Sequence, residues 1–279
     1  MNAARHRQRR AAVLALAAGM LVLAGCGGSP RTPHRPATVA IGLLSPASGG
    51  GGMGDDAVRG AQLAIDLVNN SHPELPLPLA KGAGLPGLGG AVLTLAVRDT
   101  AGSADQAETA ANDLVSFDHA VSIVAAESAP VMAALGAQAQ RLRLPLVDAT
   151  SSADYLPEMG LEWYFRVSPS DRVLIETTYA LLRRQLPAGQ PARLALLQDQ
   201  GGDLATDADL VRELATRSGY SIVATLDLAP SGTDLLAAQQ LLDQSGADVV
   251  FAVLAQDGAA RTAIDLAAAL VHPVPLLGL

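Results

Sequence analysis

The stretch VSIVAAESAPVMAALGAQAQRLRLPLVDATSS, Val121 to Ser152, decides how the chain folds. Two short apolar runs, Val121 to Val124 and Leu144 to Val147, are separated by about twenty residues with helical character, the pattern of two buried parallel strands joined by a crossover helix. Each run ends in small residues carrying side-chain oxygens. Ser128 falls where the helix should begin, and Ser151 with Ser152 follows the second run. Hydroxyls and free helix-terminal N–H groups are therefore expected to converge at one edge of a sheet. Open α/β sheets bind ligands at the carboxyl ends of their strands. Unpaired N–H groups and the helix dipole favour a carboxylate or similar anion there.

The same alternation continues on both sides. Towards the N-terminus, Thr38 to Leu44 and Val92 to Val97 read as strands and Asp56 to Val68 as a helix, with a Pro- and Gly-rich loop from Ser71 to Gly90. Ser103 and Gln106 form a capping-box pattern ahead of Ala107, Ala110, Ala111 and Leu114 at helical spacing. Trp163 to Val167 looks extended and suits a crossing segment between two lobes. A second series follows: helix Asp171 to Leu186, strand Arg193 to Leu197, helix Ala205 to Arg217 and strand Ser221 to Leu226. A helix capped by Thr233, strand Asp248 to Leu254, a helix through Leu270 and the run Val274 to Leu277 complete it. Strand and helix in alternation, twice over, predict an α/β fold of two doubly wound Rossmann-like lobes.

Composition narrows the function classes. Of the 279 residues 49% are hydrophobic but only 3% aromatic, so the core must be built from Ala, Leu and Val. The net charge is -8, and Arg5, Arg7, Arg9 and Arg10 all lie in the first ten residues, leaving the remainder more acidic still. A basic nucleic-acid footprint is absent. The segment MNAARHRQRR followed by apolar Ala11 to Ala24 has the charge and length of a signal peptide, too short to span a bilayer. Leu23-Ala24-Gly25-Cys26 resembles the lipobox of bacterial lipoproteins, which implies lipid attachment at Cys26, the sole cysteine, and a protein anchored to a membrane without crossing it. Residues 1–25 are then a leader and 26–37 a Pro-rich linker.

Catalytic and cofactor motifs are weak. Gly49, Gly51 and Gly54 match G-x-G-x-x-G by count, but the loop from Leu44 to Asp55 is longer than the turn that motif requires, and an exported protein has little use for a dinucleotide. His6, His34, His72, His119 and His272 are scattered, with no zinc or nucleophile-elbow pattern. Neither a metal nor a cofactor is expected. Asp99 suits an Asx turn, Trp163 and Tyr164 suit packing, and Asp171 suits an ordinary first-turn acid.

With the elements placed, the chain resembles the type I periplasmic binding proteins, in particular the branched-chain amino acid receptor family of ABC importers. The resemblance runs through IGLLSPASG at 41–49, GDDAVRGAQLAID at 54–66, RDTAGSADQA at 98–107, LPLVDATSS at 144–152 and GLEWYFR at 160–166. It continues through ARLALLQDQGGD at 192–203, SGTDLLAAQQLLDQSGADVVF at 231–251 and Pro275 to Gly278. It implies an N-terminal α/β lobe at 38–165 and a second, incomplete lobe at 166–279, closing over a small ligand such as an amino acid. It further implies that Ser128, Ala129, Ser151 and Ser152 meet the ligand's carboxylate. Where the family often places aromatic walls, this chain has Met53, Asp203-Leu204 and Ala255 or Gln256, so Asp203 and Gln256 suit a more polar or cationic ligand. Relatives continue beyond the position of Leu279, so the chain reads as truncated. The implied function is a lipid-anchored extracytoplasmic receptor that hands its solute to an ABC importer permease, without enzymatic activity. The alternative is a lipoprotein of the same fold that senses for or regulates a membrane partner without transport.

Overall fold

A computed structural model describes residues 38–48, 53–185, 192–199, 204–228, 232–254 and 257–278. The expected leader at 1–25, the expected linker at 26–37 with Cys26, and Gly49, Gly51, Asp203, Ala255 and Gln256 lie outside them. The first sheet contains β1 (Thr38–Ser45), β2 (Val92–Asp99), β3 (Ser122–Ala125), β4 (Leu146–Asp148) and β5 (Tyr164–Arg166), in the order β2-β1-β3-β4-β5. The pairs β1/β3, β3/β4 and β4/β5 are parallel. Between them run α1 (Met53–Asn69), α2 (Ala104–Ser116), α3 (Ala129–Leu142) and the short α4 (Tyr155–Glu158). The strand order reverses direction between β1 and β3, so the switch point that opens a crevice in such sheets lies at their carboxyl ends.

The second sheet contains β6 (Arg193–Gln198), β7 (Ser221–Asp227), β8 (Val249–Val253) and β9 (Leu276–Gly278), in the order β7-β6-β8-β9, all pairs parallel. Its helices are α5 (Asp171–Gln185), α6 (Leu204–Arg217), α7 (Leu235–Ser245) and α8 (Asp257–Ala269). Alternate residues of β6 and β8 enter different cores. Leu194, Leu196, Val249, Phe251 and Val253 join one, and Ala195, Leu197, Val250 and Ala252 join the other. A sheet covered on both faces reads as an unbroken apolar run, as β8 does with all its residues buried. The first-lobe core is Ala- and Leu-rich, with Ala107, Ala110, Ala111 and Leu114 of α2 against Met132 and Leu135 of α3 and Ile123 of β3. Three of the eight aromatics meet in the core of the second sheet. Tyr179 lies 5.0 Å from Tyr220 and 5.7 Å from Phe251 between ring centroids, and its hydroxyl donates to Val211 O at 2.9 Å.

The segment Leu67–Leu93 is held by its own hydrogen bonds. Asn69 donates from Nδ2 to Leu93 O at 2.8 Å and accepts from Leu93 N at 2.7 Å, and the loop between holds a 3-10 turn at Pro86–Leu88 closed by an antiparallel bridge between Leu85 and Ala91.

Several local expectations need correction. Trp163 to Val167 is extended as expected, but as part of the first sheet, where Tyr164–Arg166 is β5 paired with β4. The Ser103 capping box does not form, because Ser103 makes no side-chain cap although its backbone sits at the N-cap. Asp234, not Thr233, caps α7 by accepting from Leu236 N and Ala237 N. Strand β4 begins only at Leu146, because Arg143 adopts a left-handed C-cap conformation at φ 51° and the Leu144 amide still bonds back to Ala139 O. Pro145 then has no N–H to give to the sheet.

Candidate ligand cavity

Strand β3 delivers Glu127, Ser128 and Ala129 to the sheet edge, and β4 delivers Thr150 to Tyr155 beside it. The apolar residues of each strand are spent in the sheet and the core, so the first residues past each strand are left to form an edge. A cavity of about 520 Å³ opens there, and its lining includes Ser128, Ala129, Ser151 and Ser152. The four residues singled out in the quoted stretch therefore share one wall. Met53, the fifth described candidate, is the first residue of α1, and its side chain lies outside the described residues.

Two features keep oxygens free at this wall. Ser128 occupies the N-cap of α3 in extended conformation, φ -66° and ψ 157°, yet makes no side-chain capping bond among the described residues. Pro130 in the first turn removes one amide, so the helix end presents the amides of Ala129 and Val131. Ser151 is buried and its hydroxyl has no hydrogen-bond partner among the described residues, as is also true of Glu127 Oε2. Such atoms are costly to leave unmade, by about 1–3 kcal/mol each, and are candidates for contact with a bound solute or water.

The turn that carries Ser151 is built on Asp148, which is fully buried. One carboxylate oxygen accepts from Thr150 N at 3.1 Å and Ser151 N at 2.9 Å, and the other accepts from the Tyr164 hydroxyl at 2.7 Å. Burial first, then the bond to Asp148, pushes the Tyr164 hydroxyl far above its ordinary range, so it remains a donor. Thr150 Oγ1 donates to Glu127 O at 3.2 Å and ties the two strand ends together. The peptide oxygens beyond are taken up in turn: Ser168 Oγ donates to Ser151 O, Asp171 N to Ser152 O at 3.0 Å, and Arg166 Nη1 to Ala153 O at 2.7 Å. Asp171 is the first-turn acid of α5 as expected, and it is buried and lines the cavity.

Residues that the sequence did not single out for this wall are mostly acidic. Glu127, Asp154, Glu158, Asp171 and Asp207 line the cavity, and no Lys, Arg or His does so among the described residues. Glu127 is the most enclosed of them, 3% exposed, with Oε1 accepting from Thr100 Oγ1. Burial pushes its carboxyl up, opposed by the Thr100 bond and reinforced by nearby Asp99. A lone acid inside the apolar run VAAES was the available sequence signal. Asp99 itself accepts from Ala101 N at 2.9 Å, the Asx turn its position suggested, and hydrogen bonds led by that from the Ser48 side chain hold its carboxyl below its ordinary value. Among the described residues there is no cluster of His, Cys, Asp and Glu fit for a metal ion, and no helix is long and apolar enough to cross a membrane.

The fold is similar to that of several solved substrate-binding proteins of ABC transporters. An ABC transporter substrate-binding protein from Desulfitobacterium hafniense is 19% identical, with a TM-score of 0.66 over 86% of this chain and 66% of that one. The branched-chain amino acid transporter substrate binding protein LivJ from Streptococcus pneumoniae, in complex with isoleucine, is 19% identical, with a TM-score of 0.65 over 86% of this chain and 64% of that one. A solute binding protein of an ABC transporter from R. palustris, in complex with 4-hydroxybenzoate, is 18% identical, with a TM-score of 0.64 over 86% and 61%. The chain thus spans just under two thirds of the length of these proteins. Identities this low establish the shared fold alone. No curated protein matches the sequence. A family model described as periplasmic binding protein matches residues 38–279, well over half of the chain, and the chain therefore belongs to the periplasmic binding protein family.

Proposed function

We propose that the chain is the solute receptor of an ABC importer, binding a small amino acid-like ligand at the cavity beyond β3 and β4. The observation that supports this most is the gathering of Ser128, Ala129, Ser151 and Ser152 around one accessible cavity of about 520 Å³, a volume suited to a small metabolite. A ligand carboxylate would meet the α3 amides and the serine hydroxyls, and a ligand ammonium the acids opposite. Ligand contact with both lobes would favour a closed state over an open one, so no covalent chemistry is required. The sequence of residues 1–25 and Cys26 supports export and lipid anchoring at the membrane face where an importer permease resides. Residues 26–37 would form the tether, with lobes at 38–165 and 166–279.

Titration of the full-length protein with amino acids, polyamines and aromatic acids, following Trp163 fluorescence and thermal unfolding, tests the reading. A saturable response at micromolar ligand supports it. Flat titrations across the whole panel would overturn it.

A further inference from the structure

The acids of the cavity come from four separate places: Glu127 after β3, Asp154 and Glu158 around α4, Asp171 at the start of α5 and Asp207 in α6. Carboxylates crowded around a cavity repel one another and any anion brought among them, and the described lining includes no Lys, Arg or His. A zwitterionic amino acid carries one ammonium and brings one more carboxylate, leaving that imbalance unchanged.

A second observation points the same way. Glu127 is 3% exposed and Ser151 7% exposed, both line the cavity, and Glu127 Oε2 and Ser151 Oγ have no partner among the described residues. Glu127 immediately precedes the α3 N-cap, where a bare helix end would favour an anion. An acceptor oxygen placed there calls for a donor from the ligand. Thr100 occupies only Oε1, so Oε2, buried at the cavity lining, is left without a hydrogen-bond partner among the described residues.

We infer that the ligand of this cavity is net cationic, an amino acid or amine with a second basic nitrogen, and that Glu127 is the residue that selects it. This rests on the solute-receptor reading and narrows its ligand class. Like charges brought together on binding repel, so discrimination against an added carboxylate should be strong. The apolar share of the lining, Ala129, Ala153 and Leu210, suits an aliphatic stem between the charged ends.

The test compares three ligands of matched length on the full-length protein by calorimetric titration: L-lysine, L-norleucine and L-2-aminoadipate. All three have a six-carbon chain and differ only at C6, which bears an ammonium in L-lysine, is a methyl in L-norleucine and is a carboxylate in L-2-aminoadipate. L-Lysine is expected to bind at least 10-fold more tightly than L-norleucine and to weaken as salt is raised, with L-2-aminoadipate weakest. Glu127→Gln should shrink the lysine-to-norleucine ratio several-fold. Glu158→Gln, at an exposed lining position, should shrink it to a smaller extent and guards against misfolding of the first variant. L-Norleucine, L-2-aminoadipate or benzoate binding as tightly as L-lysine would overturn the cationic assignment while leaving a solute receptor. No binding by any of these, L-leucine or putrescine would overturn the receptor reading itself.

Discussion

Replacing Asp148 with alanine removes an acceptor that three donors share. The amides of Thr150 and Ser151 lose Oδ1, at 3.1 and 2.9 Å, and the Tyr164 hydroxyl loses Oδ2, at 2.7 Å. Hydrogen bonds to a charged partner contribute roughly 1.5–3 kcal/mol each, and buried donors left without partners carry a full desolvation cost. The buried carboxylate has its own desolvation penalty of several kcal/mol, which its removal relieves. The net loss for Asp148→Ala is therefore expected at roughly 3 kcal/mol, well below the sum of three bonds. Tyr164→Phe takes away one donor and leaves both amides in place, so it should cost about 1 kcal/mol. The two residues touch, so the double variant should lose less than the singles combined, by roughly 1 kcal/mol. Urea unfolding followed by fluorescence reads this directly, because Trp163 is the single tryptophan and its carbonyl accepts from Leu146 N of β4. Loss of less than 1 kcal/mol in Asp148→Ala, or strict additivity in the double variant, would refute Asp148 as the support of the turn.

Other perturbations probe different parts of the fold. At Gly54, in the first turn of α1, an added Cβ would lie 2.6 Å from Ala47 Cα and 2.8 Å from Ala47 N, so Gly54→Val must displace backbone. A loss of about 1–3 kcal/mol in thermal or urea unfolding is expected, and an unchanged midpoint would show that the helix does not pack on this loop. Burial raises the Glu127 carboxyl, so the folded chain holds a proton that the unfolded chain has released, and stability falls as pH rises through the window above the ordinary carboxylate range. Glu127→Gln should flatten that fall, gaining on the parent towards neutral pH and converging with it in acid; a gap that widens in acid would contradict the sign. Asp234→Ala should cost about 1 kcal/mol by leaving the Leu236 and Ala237 amides uncapped, whereas Thr233→Ala leaves that cap intact.

Much of the architecture was legible because buried parallel strands leave unbroken apolar runs. The runs around Ile123, Leu196 and Phe251 are such cases, and all three residues are in the core. The convergence of Ser128 with Ser151 was legible for a related reason: both follow strands that lie side by side in parallel, and parallel neighbours finish at the same edge. Caps were less so. Thr233 and Asp234 are both good capping residues, and only the φ and ψ of the chain decide which one stands at the boundary. Edge strand β5 carries polar and aromatic residues with one exposed position, Phe165, and so lacks the apolar run that marked the inner strands. The acidic wall was hidden because its acids come from three helices far apart in sequence, Asp154 and Glu158 around α4, Asp171 in α5 and Asp207 in α6. Only the turn fixed by Asp148 and the bond from Asp171 N to Ser152 O bring the first three together.

Binding at this cavity is tested most directly by backbone-amide hydrogen exchange on the full-length protein, with and without saturating L-lysine. The expected result is new protection concentrated at residues 127–131 and 150–155, with Ser151→Ala reducing both the protection and the affinity. Protection confined to other segments, or exchange unchanged at a lysine concentration that saturates calorimetric binding, would contradict solute capture between the ends of β3 and β4.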